Sequence, residues 1–164
     1  MASTYVAAPQ DNNGLWLIML VLGLGAHYSS LISLLPQEKL DMQQLSRDLL
    51  NHVEHRFVNI IDSADEEAVQ ICILMGSYFL FNGRPNAGLG ILGSGIKIAQ
   101  VLRLHRENLT AEPTDAFWET RRRSWWALEV FDKYALELAR SWERIANRGT
   151  MLDTPPSHLD GLVA

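Results

Sequence analysis

His52 and His55 flank Glu54, and this is the nearest the chain comes to a metal-binding pattern. Residues three apart on a helix share a face, so both imidazoles could reach one ion. A zinc site needs at least one more protein ligand at a fitting position, and the four-residue histidine spacing of zinc proteases is absent. A solvated polar face is the expectation, and no metal is assigned. Cys72 is the only cysteine, which excludes an intrachain disulfide and any multi-cysteine zinc cluster. Inside Ile71-Cys72-Ile73-Leu74-Met75 it reads as a small buried hydrophobe in a reducing, intracellular setting. There is no nucleophile elbow and no acid pair set beside a histidine at a recognisable spacing. The glycines between Gly88 and Gly95 follow no strand, so a dinucleotide fingerprint is excluded by context. No catalytic residue and no cofactor are assigned, and an enzyme is not expected.

The other reactive-looking residues are cationic and aromatic. Arg121, Arg122 and Arg123 invite a nucleic-acid reading, but consecutive residues lie about 100° apart around a helix and cannot share one face. Arg122 stands four residues from both Trp118 and Trp126 and is expected to stack on indole, while Arg121 and Arg123 have Glu119 and Asp115 close in sequence. Trp125 and Trp126 are large anchors for a core, with an indole-lined effector pocket as the alternative. His105 and Arg106 close a helix, where cations suit the negative terminus, and a contact with the following helix is the sharper expectation. Trp125, Trp126, Arg122, His105 and Arg106 are therefore the candidate structural or effector-lining residues.

At 164 residues the chain suits one domain with a sizeable core. Fourteen basic against nineteen acidic residues leave a net charge of −5, without the basic excess that phosphate neutralisation demands. Direct DNA binding is not expected. The apolar run from Leu15 to Ala26 is about a dozen residues against the roughly 20 needed to span a bilayer, and no Lys or Arg precedes it. It reads as a buried helix, with no membrane and no targeting segment.

Those residues must be positioned by helices, because no alternating strand pattern occurs. Residues Met1 to Asn13 read as disordered. A first helix over Gly14 to Leu34 is apolar on nearly all sides, which predicts a central position, with Gly23, Gly25 and Ala26 as a smooth packing face and Pro36 ending it. A second over Gln37 to Ile61 carries Leu45, Leu49, Val53, Phe57 and Ile61 every four residues. Ser63 with Glu66 forms a capping-box pattern for a third, apolar helix that stops at Asn82-Gly83. Pro85 opens a fourth, to Arg103, whose Gly88, Gly90, Gly93, Ser94, Gly95 and Ala99 predict close packing with a neighbour. After a polar break from Glu107 to Pro113, a fifth helix over Thr114 to Asn147 places Trp118, Trp125, Leu128, Ala135, Leu138, Trp142 and Ile145 on one stripe, closed by Gly149 and Pro155-Pro156. The fold class is all-α, a multi-helix bundle or short helical array of about five antiparallel helices. It divides into residues 1–13, a helical domain over 14–148 and an irregular tail over 149–164.

Order, spacing and residue identity from Leu15 to Lys133 resemble the middle regulatory domain of fungal zinc-cluster transcription factors. Leu15 to Ser29 resembles its early apolar helix, and Tyr78 to Pro85 its helix ending in a Gly-Arg turn. Gly93, Gly95, Lys97, Ala99, Leu102, Leu104, His105 and Arg106 match its glycine-rich helix ending in leu-gly-leu-his-arg. Arg121 to Arg123, Trp125, Trp126 and Asp132 match its triple arginine, tryptophan pair and downstream aspartate. Arg103 stands where the family usually has glycine, and Ala139-Arg140-Ser141 near its gly-arg-pro. The family's zinc-binding cysteine cluster is absent from this chain, which reads as a fragment, a truncated product or a stand-alone derivative.

The resemblance implies nuclear residence and control of transcription through protein partners, either transcription machinery or a related factor. DNA would be reached only through a zinc cluster not present here, and a small-molecule effector is implied as an option. A helical dimerisation or scaffold protein, and a small-molecule-binding protein, remain as alternatives.

Overall fold

The computed structural model describes residues 13–106 and 116–152, which form five helices: α1 (Asn13–Ile32), α2 (Pro36–Ser63), α3 (Glu66–Phe81), α4 (Pro85–Val101) and α5 (Ala116–Leu152). The all-α class holds, and no strand occurs among the described residues. The expectations for residues 1–12, the polar break from Glu107, Asp115, Pro155-Pro156, and the side chains of Leu138, Trp142 and Ile145 lie outside the described residues.

Two hairpins, α1–α2 and α3–α4, are joined so that α3 touches every other helix, and α5 lies across α4 and α3. The centre is α3. It carries no charge from Ala68 to Phe81, and nine of its residues are buried, Ile71, Cys72 and Val69 completely. This corrects the expectation of a central, buried α1. Only 22% of the most apolar window of α1 is buried, and its inner face is narrow: Leu20, Gly23, Ala26 and Ser30. Composition alone ranked α1 as the core helix because it has no polar back, yet a helix can be apolar all round and still be covered on one side only. At 20 residues it is long and apolar enough to cross a membrane by those criteria, against the dozen-residue reading. Gly23 admits α2 closely, a Cβ there meeting Leu49 at 3.2 Å and Leu50 at 3.3 Å, whereas Gly25 faces open space and does not belong to the packing face.

The α2 stripe also shifts. Ser46, Val53 and Ile60 are buried, Leu50 and Phe57 pack against the core, and Leu45 is 46% exposed. A strict four-residue repeat drifts about 40° per step from a 3.6-residue helix, which carries Leu45, two steps before the buried Val53, off the inner face.

Helix ends follow local chemistry with four corrections. Pro36 does not stop α1, which already ends at Ile32; it opens α2 in the first turn, where a missing N–H is harmless. The cap of α3 is Asp65, whose Oδ1 accepts from the Ala68 amide at 2.8 Å, not Ser63. Ser63 ends α2 and donates to the Ile60 carbonyl at 2.7 Å. Asn13, expected in the disordered segment, is buried in α1 and donates from Nδ2 to the Ile60 carbonyl and the Asp65 carboxylate, fastening α1 to the α2–α3 corner. At the other end Gly149 does not stop α5, which continues to Leu152.

Candidate functional site

The glycine-rich helix and the tryptophan-bearing helix meet where α4 ends. Arg103 adopts φ +58°, its N–H bonding Gln100 O at 3.1 Å, and the Leu104 N–H bonds Ala99 O at 2.9 Å. This pair of bonds around a left-handed residue is the Schellman stop, and Leu104, buried at 4%, supplies its hydrophobic contact. The turn leaves the Leu102 carbonyl pointing at α5, where Arg121 Nη2 donates to it at 2.7 Å. The same guanidinium lies 3.7 Å from Glu66 on α3 and within 5.5 Å of the Phe117 and Trp118 rings. One arginine thus ties α5 to the end of α4 and the start of α3.

Arg122, the arginine expected to stack between tryptophans, is exposed and pairs with Glu119. Arg123 also pairs with Glu119, at 2.6 Å, and its hydrogen bond holds that carboxyl below the usual range. The inward arginine is the first of the three. The reason is phase: Arg121 shares a helical face with Leu128, fully buried at 0%, while Arg122 shares one with the exposed Trp126. Trp125 packs partly buried against the core and meets His105 at 5.5 Å between ring centroids, the contact expected between the α4 end and α5. Trp126 is 55% exposed and Arg106 is exposed. Of the five candidate residues, His105 and Trp125 are brought together; Arg122, Trp126 and Arg106 face outward.

Beneath this junction three helices converge on Gly95. A Cβ there would stand 2.7 Å from Cys72 Cβ and 3.1 Å from Leu128 Cδ2, so only glycine lets α3 and α5 close on α4. Burial pushes the Cys72 thiol up to about 12, which keeps it protonated and inert. His52 and His55 are exposed and each turns Nδ1 to the carbonyl one turn back, Asp48 at 2.6 Å and Asn51 at 2.7 Å.

A second feature had no local sequence signal. Arg84, between α3 and α4, pairs with Glu54 of α2 at 3.1 Å and lies 4.3 Å above the Phe79 ring. The pair forms the rim of an open groove of about 350 Å³ floored by Phe57, Met75, Phe79 and Ile91. Thirty residues separate the partners, and no helical spacing connects them.

These observations define a class first: an all-α module in which Gly76, Gly88, Gly95, Arg121 and Trp125 hold the helices together, with Cys72 buried as packing. The model of the fungal specific transcription factor domain matches residues 3–137, and the chain belongs to that family. No curated protein and no solved structure matches the chain.

Proposed function

We propose that this chain is a regulatory module that controls transcription in the nucleus through protein contacts, without binding DNA itself and without catalysis. The supporting observation is the outer face of α1, where Leu15, Ile18, Val21, Leu22, Tyr28, Leu31 and Ile32 are all more than half exposed. A contiguous apolar face of this size marks a partner surface. A net charge of −5 and the pairing of Arg122 and Arg123 with Glu119 support the absence of DNA contact. Fusion to an unrelated DNA-binding domain tests the reading: reporter output should change, and Ile18→Glu with Leu22→Glu should abolish the change. An unaltered reporter, or a nanomolar mobility shift of DNA by the purified chain, overturns it.

A second reading, effector sensing, is favoured by the groove at Glu54 and Arg84. Its volume lies at the low end for small-molecule sites, and an apolar floor with the Glu54–Arg84 pair at the rim suits a small amphipathic carboxylate that takes the place of Glu54 on Arg84. Gly90 lines it, and a Cβ there meets nothing within 4 Å, so Gly90→Leu fills the groove without disturbing the helix. A carboxylate that raises the melting temperature of the parent but not of the Gly90→Leu variant supports this reading. An equal rise in both removes it.

A further inference from the structure

The exposed side of α1 is ordered as well as apolar. No Asp, Glu, Lys or Arg occurs from Asn12 to Gln37. Leu15, Ile18, Leu22, Gly25, Ser29 and Ile32 recur at alternating steps of three and four, the spacing of a helix–helix seam. Leu15 (56%), Ile18 (58%), Leu22 (58%) and Ile32 (81%) stand out into solvent, Ser29 is exposed, and a Cβ on Gly25 would meet nothing within 4 Å. The seam therefore carries three large side chains, two small residues and a large one in a fixed order.

We propose that α1 pairs antiparallel with α1 of a second copy of this chain, about a two-fold axis level with the Gly23–Leu24 bond. This rests on the reading of α1 as a protein-contact face and names its occupant. In that register Leu22 of one copy enters the notch at Gly25 of the other, Ile18 lies over Ser29, and Leu15 meets Ile32 at each end. A two-fold interface must be complementary to itself, and this stripe is. A parallel pairing would set Gly25 against Gly25 and Ser29 against Ser29, leaving two successive layers unfilled. The surface is of the same order as the ~800 Å² that each partner gives to a stable interface, with Val21 and Tyr28 flanking it, each about half exposed. Copies that each carry −5 would meet through a face of α1 that holds no Asp, Glu, Lys or Arg, so α1 itself opposes no like charges. A lipid surface is the less fitting occupant: interfacial helices carry Lys or Arg for the headgroups, and α1 has neither.

The full chain should sediment at twice its 18.5 kDa. Leu15→Cys and Ile32→Cys, purified separately, should form a disulfide-linked pair when mixed and oxidised, and neither should cross-link alone. Like positions lie about 26 Å apart in the antiparallel pair, since 17 residues separate them at 1.5 Å each. Cys72 is buried and does not compete. Gly25→Leu, which meets open space within one copy, should weaken the dimer at least tenfold while leaving the thermal midpoint at the lowest protein concentrations unchanged or raised. A monomer at tens of micromolar, cross-linking of Leu15→Cys with itself, or a Gly25→Leu dimer as tight as the parent would overturn the proposal. So would a monomer that floats with phosphatidylcholine vesicles. A monomer that still moves the reporter removes the pairing alone and leaves the regulatory reading standing.

Discussion

Gly76 on α3 and Gly88 on α4 meet with no side chain between them: a Cβ on Gly88 would stand 2.8 Å from the Gly76 carbonyl oxygen. The atom in the way is backbone, so the contact cannot be relieved by turning a rotamer. On α4 the glycines thus divide into two kinds. Gly88 and Gly95 are closed upon by neighbours, and Gly90 and Gly93 face open space.

Gly88→Ala sets two effects against each other. Alanine improves an exposed helix position by about 1 kcal/mol, while overpacking costs about 1–3 kcal/mol. Against a backbone oxygen at 2.8 Å the second wins, so a net loss of stability is expected. Gly93→Ala, with nothing within 4 Å, should gain about 1 kcal/mol in urea denaturation. Equal effects at the two sites would show that close approach is not what excludes a side chain at Gly88.

Arg103 occupies the left-handed stop of α4 at φ +58°, where a side chain costs about 1–2 kcal/mol. The family's usual glycine at this place has a physical reason. Arg103→Gly should raise stability by about 1 kcal/mol, and Arg103→Ala, which keeps a Cβ, should not. A thermal melt of the three proteins decides it.

Arg121→Met removes the donor to the Leu102 carbonyl and the cation beside Glu66. Hydrogen bonds from charged groups are worth about 1.5–3 kcal/mol, and a loss of that size is expected. Arg122→Met removes an exposed pair with Glu119 and should change stability by less than about 0.5 kcal/mol. Matching losses would place both arginines in the same structural role, against the observed difference.

Burial raises the Glu66 carboxyl above its ordinary value of 4.5, with Arg121 opposing the shift and Glu67 adding to it. Because the folded state then holds its proton more tightly than the unfolded chain, this group's contribution is fully present below the unfolded value. It is lost as pH rises through the raised folded value. Glu66→Gln should remove that downward component and flatten stability against pH across the window just above 4.5. An unchanged profile in urea titrations at successive pH values would show that Glu66 titrates normally.

Much of the architecture is legible along the chain. The five helices follow from periodicity, from proline at the start of α4, and from Asn82-Gly83, where Gly83 takes φ +80°, whereas Pro36, read as a stop for α1, opens α2 instead. These are local signals, because capping and φ preference act within a few residues. The tryptophan pair was visible as an anchor, but only Trp125 serves the core, since adjacent residues cannot share a helical face.

What the amino-acid order alone determined was the helical class, the five helices in their approximate extents, the stop at Asn82-Gly83, and the family motif. Each depends on interactions within about one turn or on residue identity read in sequence. Only the tertiary structure decided that α3 rather than α1 is central and that Arg121 joins Leu102 and Glu66. It alone paired Glu54 with Arg84 and divided the glycines into crowded and open. Those outcomes turn on which faces of separate helices come together. Apolar burial is non-directional, so many arrangements of the same helices bury similar area, and the close fit of Gly76, Gly88 and Gly95 against their neighbours distinguishes this one.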